Sequence, residues 1–288
     1  MKLDNYTSTI YKKIHLKQLQ TSGFKRVSKK YDNKQLKKYL KHIEGKICAD
    51  FGGGNGAGAI NLINLGAKKV FIVDLNNSSL KIIKKKYKNK IIFCNENILK
   101  TSFKKNYFDF VLCSNVIHHV SKPQQAFKEI YRVLKNKGAS LISVNGKYGL
   151  IGNILKKVIK EEYKKNPLVK KIINDFLNNK FKKYQNFFFK NFSSKEKYFT
   201  SLLMKKFDED FILTMKDRIL SPKYLEFTEK DLKRNLKNIG FRKIDRIRGN
   251  YMRYNNIRYL LSPLYYNYEN QISKALYGEG NIKLLVLK

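Results

Sequence analysis

Residues 49 to 58 read ADFGGGNGAG, five glycines in ten positions directly after the strand-like run Ile47-Cys48-Ala49. A glycine-rich turn at the end of a strand lets the backbone approach a ligand closely, and it opens onto the N-terminus of the next helix. Three kinds of ligand compete for such a turn. A nucleoside triphosphate wants G-x-x-x-x-G-K-[ST], and no Lys-Ser or Lys-Thr follows these glycines. A dinucleotide wants G-x-G-x-x-G or G-x-G-x-x-A, and Gly54-Asn55-Gly56-Ala57-Gly58-Ala59 satisfies the second form. Asp50 weighs against it, because a carboxylate two residues before the first glycine repels a pyrophosphate seated at the helix N-terminus. A ligand with no phosphate and a cationic amino-acid end suits Asp50 better.

Around this turn the chain alternates short β-rich runs with helical stretches. KICADF, KKVFIVDL, KIIFCN, FDFVLCSNV and GASLISVN read as strands, while GAGAINLINLG, SSLKIIKKKY and KPQQAFKEIYRVLKN read as helices. That rhythm predicts a doubly wound α/β fold, a mostly parallel sheet covered on both faces. The helix over 122–135 has Pro123 in its first turn and Lys137-Gly138 past its end. Its apolar positions Ala126, Phe127, Ile130, Val133 and Leu134 follow the spacing of one buried face.

S-adenosylmethionine meets the demand Asp50 sets, since it carries an ammonium and a sulfonium and no phosphate. Four stretches in order also carry a resemblance: Asp50-x-Gly52-x-Gly54-x-Gly56, Val73-Asp74, Glu96-Asn97-Ile98 with Phe103, and FDFVLCSNVIHHVSKPQQAFKEIYRVLKNKGASLISV. Residues 46–145 resemble the core of class I S-adenosylmethionine-dependent methyltransferases, in particular the small-molecule group that includes quinone-biosynthesis enzymes. The resemblance implies a seven-stranded Rossmann-like sheet with an antiparallel last strand, and S-adenosyl-L-methionine as cofactor. It places Asp50, Gly52, Gly54 and Gly56 at the cofactor, Asp74 with Leu75 at the ribose hydroxyls, and Asn97 with Ile98 at the adenine. Where the family usually has Asp, Asn97 keeps an acceptor oxygen. Ser114 and Asn115 fall where the chain leaving the fourth strand passes the methionine part.

Taken singly, Asp74 reads as a strand-end turn residue and Asn97 as a loop residue, and only their joint spacing lifts them above that. His118 and His119 are the candidate catalytic residues. One of them reads as packing or capping of the turn after strand four, and the other as a base or substrate contact, with a tyrosine of the N-terminal segment or the insertion as a rival base. Residues 114–117, Ser-Asn-Val-Ile, replace the N-P-P-Y type of motif found where nucleobase amines are methylated, and no Pro-Cys pair exists for cytosine chemistry.

After Gly146 the alternation stops, and residues 148–222 carry basic, apolar helical stretches and the aromatics Phe187, Phe188, Phe189, Phe192, Tyr198 and Phe199. The predicted layout is therefore an N-terminal helical cap over 1–44, a cofactor-binding core over 45–147, a helical lid insertion over 148–222 and completion of the sheet over 223–288. Insertions at the carboxyl edge of a parallel sheet face the ligand crevice, which positions this one as a lid. The aromatic cluster reads as the lid's own core or as the wall of an apolar acceptor site.

The formal net charge of +39 invites a polyanion, yet only nine of the 61 basic residues are Arg and the Lys residues run along the whole chain. AT-rich coding bias accounts for that as well as a partner does. The expected acceptor is a small molecule such as a metabolite, sugar or envelope precursor, methylated on O or N. The alternatives are RNA or protein docked through the basic charge, and a membrane-associated lipid or quinone reached by lysine-rich amphipathic helices. The N-terminal sequence lacks a signal-peptide core and no run of ~18 apolar residues occurs, so the expected location is cytoplasmic. Cys48, Cys94 and Cys113 sit inside strand-like runs with no zinc spacing, so they read as buried hydrophobes, with no metal site.

Overall fold

A computed structural model describes residues 4–9, 11, 39–76, 87, 89–177, 193–195, 198, 224–247 and 271–288. The chain divides into two compact units, one of residues 1–147, 222–250 and 279–288, the other of residues 148–221 and 251–278.

The first unit holds a seven-stranded sheet. Strands β1 (Ile47–Phe51), β2 (Lys69–Asp74), β3 (Ile91–Asn95), β4 (Phe108–Ser114), β5 (Leu134–Asn145), β6 (Ile244–Arg246) and β7 (Asn281–Leu287) lie in the order β3-β2-β1-β4-β5-β7-β6. The first five pair in parallel, and β7 runs antiparallel to both β5 and β6. The doubly wound sheet with an antiparallel last strand is thus present as expected.

Strand side chains alternate between faces, so β1 sends Ala49 and Phe51 into one apolar cluster and Cys48 into the other. The first cluster packs beneath helix α2 (Pro123–Val133), and the second beneath helix α1 (Ala57–Asn64). The five positions foreseen as the buried stripe of the 122–135 helix are all fully buried. That helix ends at Val133, however, because Leu134 turns extended and pairs with Phe108 of β4. Its side chain still reaches the core, which explains why periodicity alone counted it as helical. The completion of the sheet expected over 223–288 is supplied, within the described residues, by Ile244–Arg246 and Asn281–Leu287, and the helix expected over 78–87 lies almost entirely outside them.

In the second unit, helices α3 (Leu150–Lys165) and α4 (Pro167–Leu177) pack together, and the Tyr163 hydroxyl donates to Asn174 at 2.9 Å. Helix α6 (Gln271–Tyr277) packs on α3, where a Cβ on Gly149 would come within 2.4 Å of the Leu276 backbone. Tyr198 is exposed, and the aromatics at 187–189, 192 and 199 lie outside the described residues. Helix α5 (Glu229–Ile239), in the first unit, lies against α2 and carries a Thr228 cap that accepts the Asp231 N–H. Among the described residues no helix is long and apolar enough to cross a membrane.

Candidate active site

The carboxyl ends of β1, β2, β3 and β4 place the candidate residues along one edge of the sheet. At the end of β1 the glycine turn takes left-handed backbone at Gly52 (φ 69°), Gly54 (φ 49°) and Gly56 (φ 78°). Glycine is required twice over at position 52, since a Cβ there would also lie 2.3 Å from a Val116 methyl. Val116 is a site-shaping residue that the motifs did not single out. The turn is pinned by the Gly52 N–H on the Val73 carbonyl at 2.7 Å and by the Gly56 N–H on the Gly53 carbonyl at 2.7 Å.

Asp74, the last residue of β2, faces this turn. Its carboxylate accepts the Gly54 N–H and the Asn76 N–H, each at 2.9 Å. Burial pushes its pKa up, and the N–H groups of Gly54, Asn76 and Leu75 pull it back. Each carboxylate oxygen has further lone pairs, so these bonds leave Asp74 able to accept from a ligand as well.

Asp50 lies elsewhere than the sequence reading put it. Expected against the cation of the cofactor, its side chain is 4% exposed and sits beneath the glycine turn. A Cβ on Gly58 would come within 2.5 Å of its Oδ2, and one on Gly53 within 2.9 Å. The reason is strand alternation: Asp50 shares its side of the sheet with Cys48, the side that α1 covers. One bond comes from the Ala59 N–H, and Oδ2 has no partner among the described residues. Burial first, and the neighbouring Asp74 second, push its pKa up to about 7. Asp50 is therefore the buried floor of the turn.

Beyond β3, residues 95–102 form a pinned loop. The Asn97 Oδ1 accepts the Leu99 N–H at 2.9 Å, and the Glu96 carboxylate holds the N–H and hydroxyl of Ser102 at 2.7 and 2.6 Å. Ile98 is buried in the core beside Phe71. The loop is thus rigid, and Asn97 is half-buried at its start.

At the end of β4, Ser114 is half-buried and Asn115 adopts φ 59°. The Asn115 Oδ1 accepts the Ser143 hydroxyl at 2.9 Å and the Asn281 amide at 2.8 Å, which turns its side chain toward β5 and β7. A one-turn 3-10 helix, Ile117–His119, then carries the histidines. The two have separate environments. His118 is 0% exposed, with the Asn145 N–H 3.4 Å from Nδ1 and the Asn145 side-chain amide 2.7 Å from Nε2. Burial, then its neighbour His119, hold its pKa well below the usual histidine value. His119 meets the N-terminal segment instead, with the Tyr11 hydroxyl 2.9 Å from Nε2. Tyr224 packs edge-on against both imidazoles. The N-terminal segment is itself anchored here by Asp4, whose carboxylate accepts the N–H and hydroxyl of Ser121, both at 2.8 Å.

A methyltransferase domain family model matches residues 49–142, which span the glycine turn to the middle of β5. The chain carries a class I S-adenosylmethionine-dependent methyltransferase domain. Its cofactor is S-adenosylmethionine, and the residues present fit that group: a glycine cradle, a strand-end carboxylate at the cradle and an unpaired buried carboxylate oxygen beneath it.

The domain is similar to the ubiquinone/menaquinone biosynthesis C-methyltransferase of Erwinia tasmaniensis, 30% identical over 105 residues, or 34% of this chain and 42% of that protein. It is also similar to phosphoethanolamine N-methyltransferase 2 of Caenorhabditis elegans, 28% identical over 121 residues, or 40% of this chain and 28% of that protein. The chain spans less than half the length of the curated relatives it matches. Among solved structures, phosphoethanolamine N-methyltransferase 2 of Haemonchus contortus, in complex with S-adenosyl-L-methionine, shares the fold. The TM-score is 0.50 at 15% identity, over 89% of this chain and 52% of that one.

Proposed function

We propose that this chain transfers a methyl group from S-adenosylmethionine to a small-molecule acceptor, on O or N, and that Tyr11 and His119 handle the acceptor's proton. The observation that carries this reading is the 2.9 Å contact between the Tyr11 hydroxyl and the His119 Nε2, at the same sheet edge as the glycine turn. When bound, the cofactor supplies an electrophilic methyl group on a sulfonium.

The chain's own residues divide the remaining work. The turn Gly52–Gly56 brings backbone against the ligand, Asp74 with Leu75 accepts from the ribose hydroxyls, and Asn97 with Ile98 meets the base. Ser114 and the backbone of Asn115 flank the amino-acid end. A hydroxyl or ammonium acceptor must lose a proton, and a phenol bonded to an imidazole can take it up or pass it on. His118 has both ring nitrogens facing Asn145 and serves to pack and orient His119. Positioning supplies much of the acceleration in such a displacement.

One relative supports a small acceptor methylated on nitrogen, since its name specifies phosphoethanolamine N-methyltransferase. Cell extract incubated with labelled methyl donor and this protein, then split into small-molecule, lipid, RNA and protein fractions, tests the reading. Label is expected in the small-molecule fraction. Label confined to RNA or protein overturns it and favours docking through the basic charge.

A further inference from the structure

The base-reading residue of this domain has exchanged an acceptor for a donor. Asn97 stands two residues past Asn95, the residue that pairs with Asp74 at the ends of β3 and β2, so it lies on the cofactor's edge of the sheet. Its side chain is a planar amide with two diverging arms. The oxygen arm closes the turn by accepting the Leu99 N–H at 2.9 Å, while the Asn97 carbonyl accepts the Lys100 N–H at 3.0 Å. The identity of that arm follows from chemistry, because only the oxygen can accept from an N–H. The arm pointing out of the turn is therefore Nδ2, which has no partner among the described residues and can only donate. A carboxylate in the same turn would present a second acceptor oxygen outward. The expectation that Asn97 keeps an acceptor oxygen for the adenine amine thus overlooks where that oxygen is spent.

The loop gives Asn97 little freedom to reverse this. Ile98 anchors it in the core, and the Glu96 carboxylate fastens its far side to Ser102. Flipping the amide would set an NH2 group against the Leu99 N–H, donor against donor.

We infer that Asn97 reads the six-position of the purine as an acceptor, so that the cofactor site tolerates hypoxanthine in place of adenine far better than a site with a carboxylate there. Adenine carries an amine at that position and hypoxanthine a carbonyl oxygen, which the Nδ2 group can satisfy. This inference rests on the cofactor reading and sharpens it.

Calorimetry with S-adenosylhomocysteine and S-inosylhomocysteine, on the unaltered protein and on Asn97→Asp, tests it. In Asn97→Asp the preference for adenine is expected to widen at least tenfold, since the carboxylate then faces a carbonyl oxygen. Equal adenine preference in the two proteins overturns the inference while leaving the cofactor reading intact. Failure of the unaltered protein to bind S-adenosylhomocysteine at all overturns both. Thermal unfolding of Asn97→Asp without ligand confirms that the variant folds, and Asn97→Ala, which offers neither donor nor acceptor, is expected to lie between the other two in its preference.

Discussion

The two halves of the sheet edge differ in how their side chains are held. In the half built by β1, β2 and β3, the candidate groups are backbone atoms and residues at strand ends, fixed by bonds within neighbouring elements: Asp74 to Gly54 across the turn, Asn97 to Leu99 within its loop. In the half built by β4 and β5, the groups are held by partners far away in sequence. Tyr11 meets His119, Asp4 meets Ser121, and Asn281 meets Asn115. The first half is a local motif that needs little beyond its own residues. The second is an assembly of distant segments, and it can change with the acceptor while the first stays constant.

That contrast predicts separable defects. The largest is expected from Gly52→Ala, which adds a Cβ into Val116 and strains a left-handed residue. Calorimetry should show a loss of cofactor affinity of about a hundredfold or more, of the size that preorganised contacts control. Affinity within threefold of the unaltered protein would remove the glycine turn from the site.

Next comes Tyr11→Phe, which deletes one hydroxyl and keeps the ring against His119. The turnover rate should fall roughly a hundredfold, the lower end of what acid–base assistance contributes, with cofactor affinity unchanged. A matching loss of cofactor affinity would show that the two halves are coupled, and the comparison would break.

The smallest and most diagnostic effect concerns Asp50. Its pKa is about 7 in the folded chain against an ordinary value of 3.8. Between those limits the unfolded chain ionises while the folded one keeps its proton, so its contribution to stability falls as pH rises from about 4 to about 7. Asp50→Asn should remove that slope and raise stability at neutral pH, read by urea unfolding across the range. His118 acts in the opposite direction: its lowered pKa makes the fold lose stability as pH drops below its ordinary value of 6.5. A urea series on His118→Gln should therefore remove a loss of stability below about pH 6.5 while leaving the Asp50 slope in place, and an acid limb unchanged by the substitution would misassign His118.

How much was legible follows the same division. The buried stripe of α2 was read correctly because it depends on residues a few positions apart, and the left-handed glycines stand where the glycine-rich stretch put a turn. Asp50 was read as facing the ligand because its sequence position is adjacent to the turn, although strand alternation could have sent it under α1. Leu134 was counted as helical because a buried position at the end of a helical stripe looks the same whether it belongs to the last turn or to the next strand. Tyr11 was anticipated only as one of several tyrosines in the N-terminal segment or the insertion, since a tyrosine 108 positions from a histidine has no pattern to single it out, and Asn145 carried no signal.

The sequence by itself determined the fold class and the cofactor, because periodicity and a glycine turn are local consequences of backbone sterics and strand geometry. Only the tertiary structure decided which histidine is enclosed and which meets a phenol. It also decided which partners hold Asn115. Those outcomes depend on long-range packing and on which hydrogen-bond partners arrive, and neither is written in the spacing of neighbouring residues.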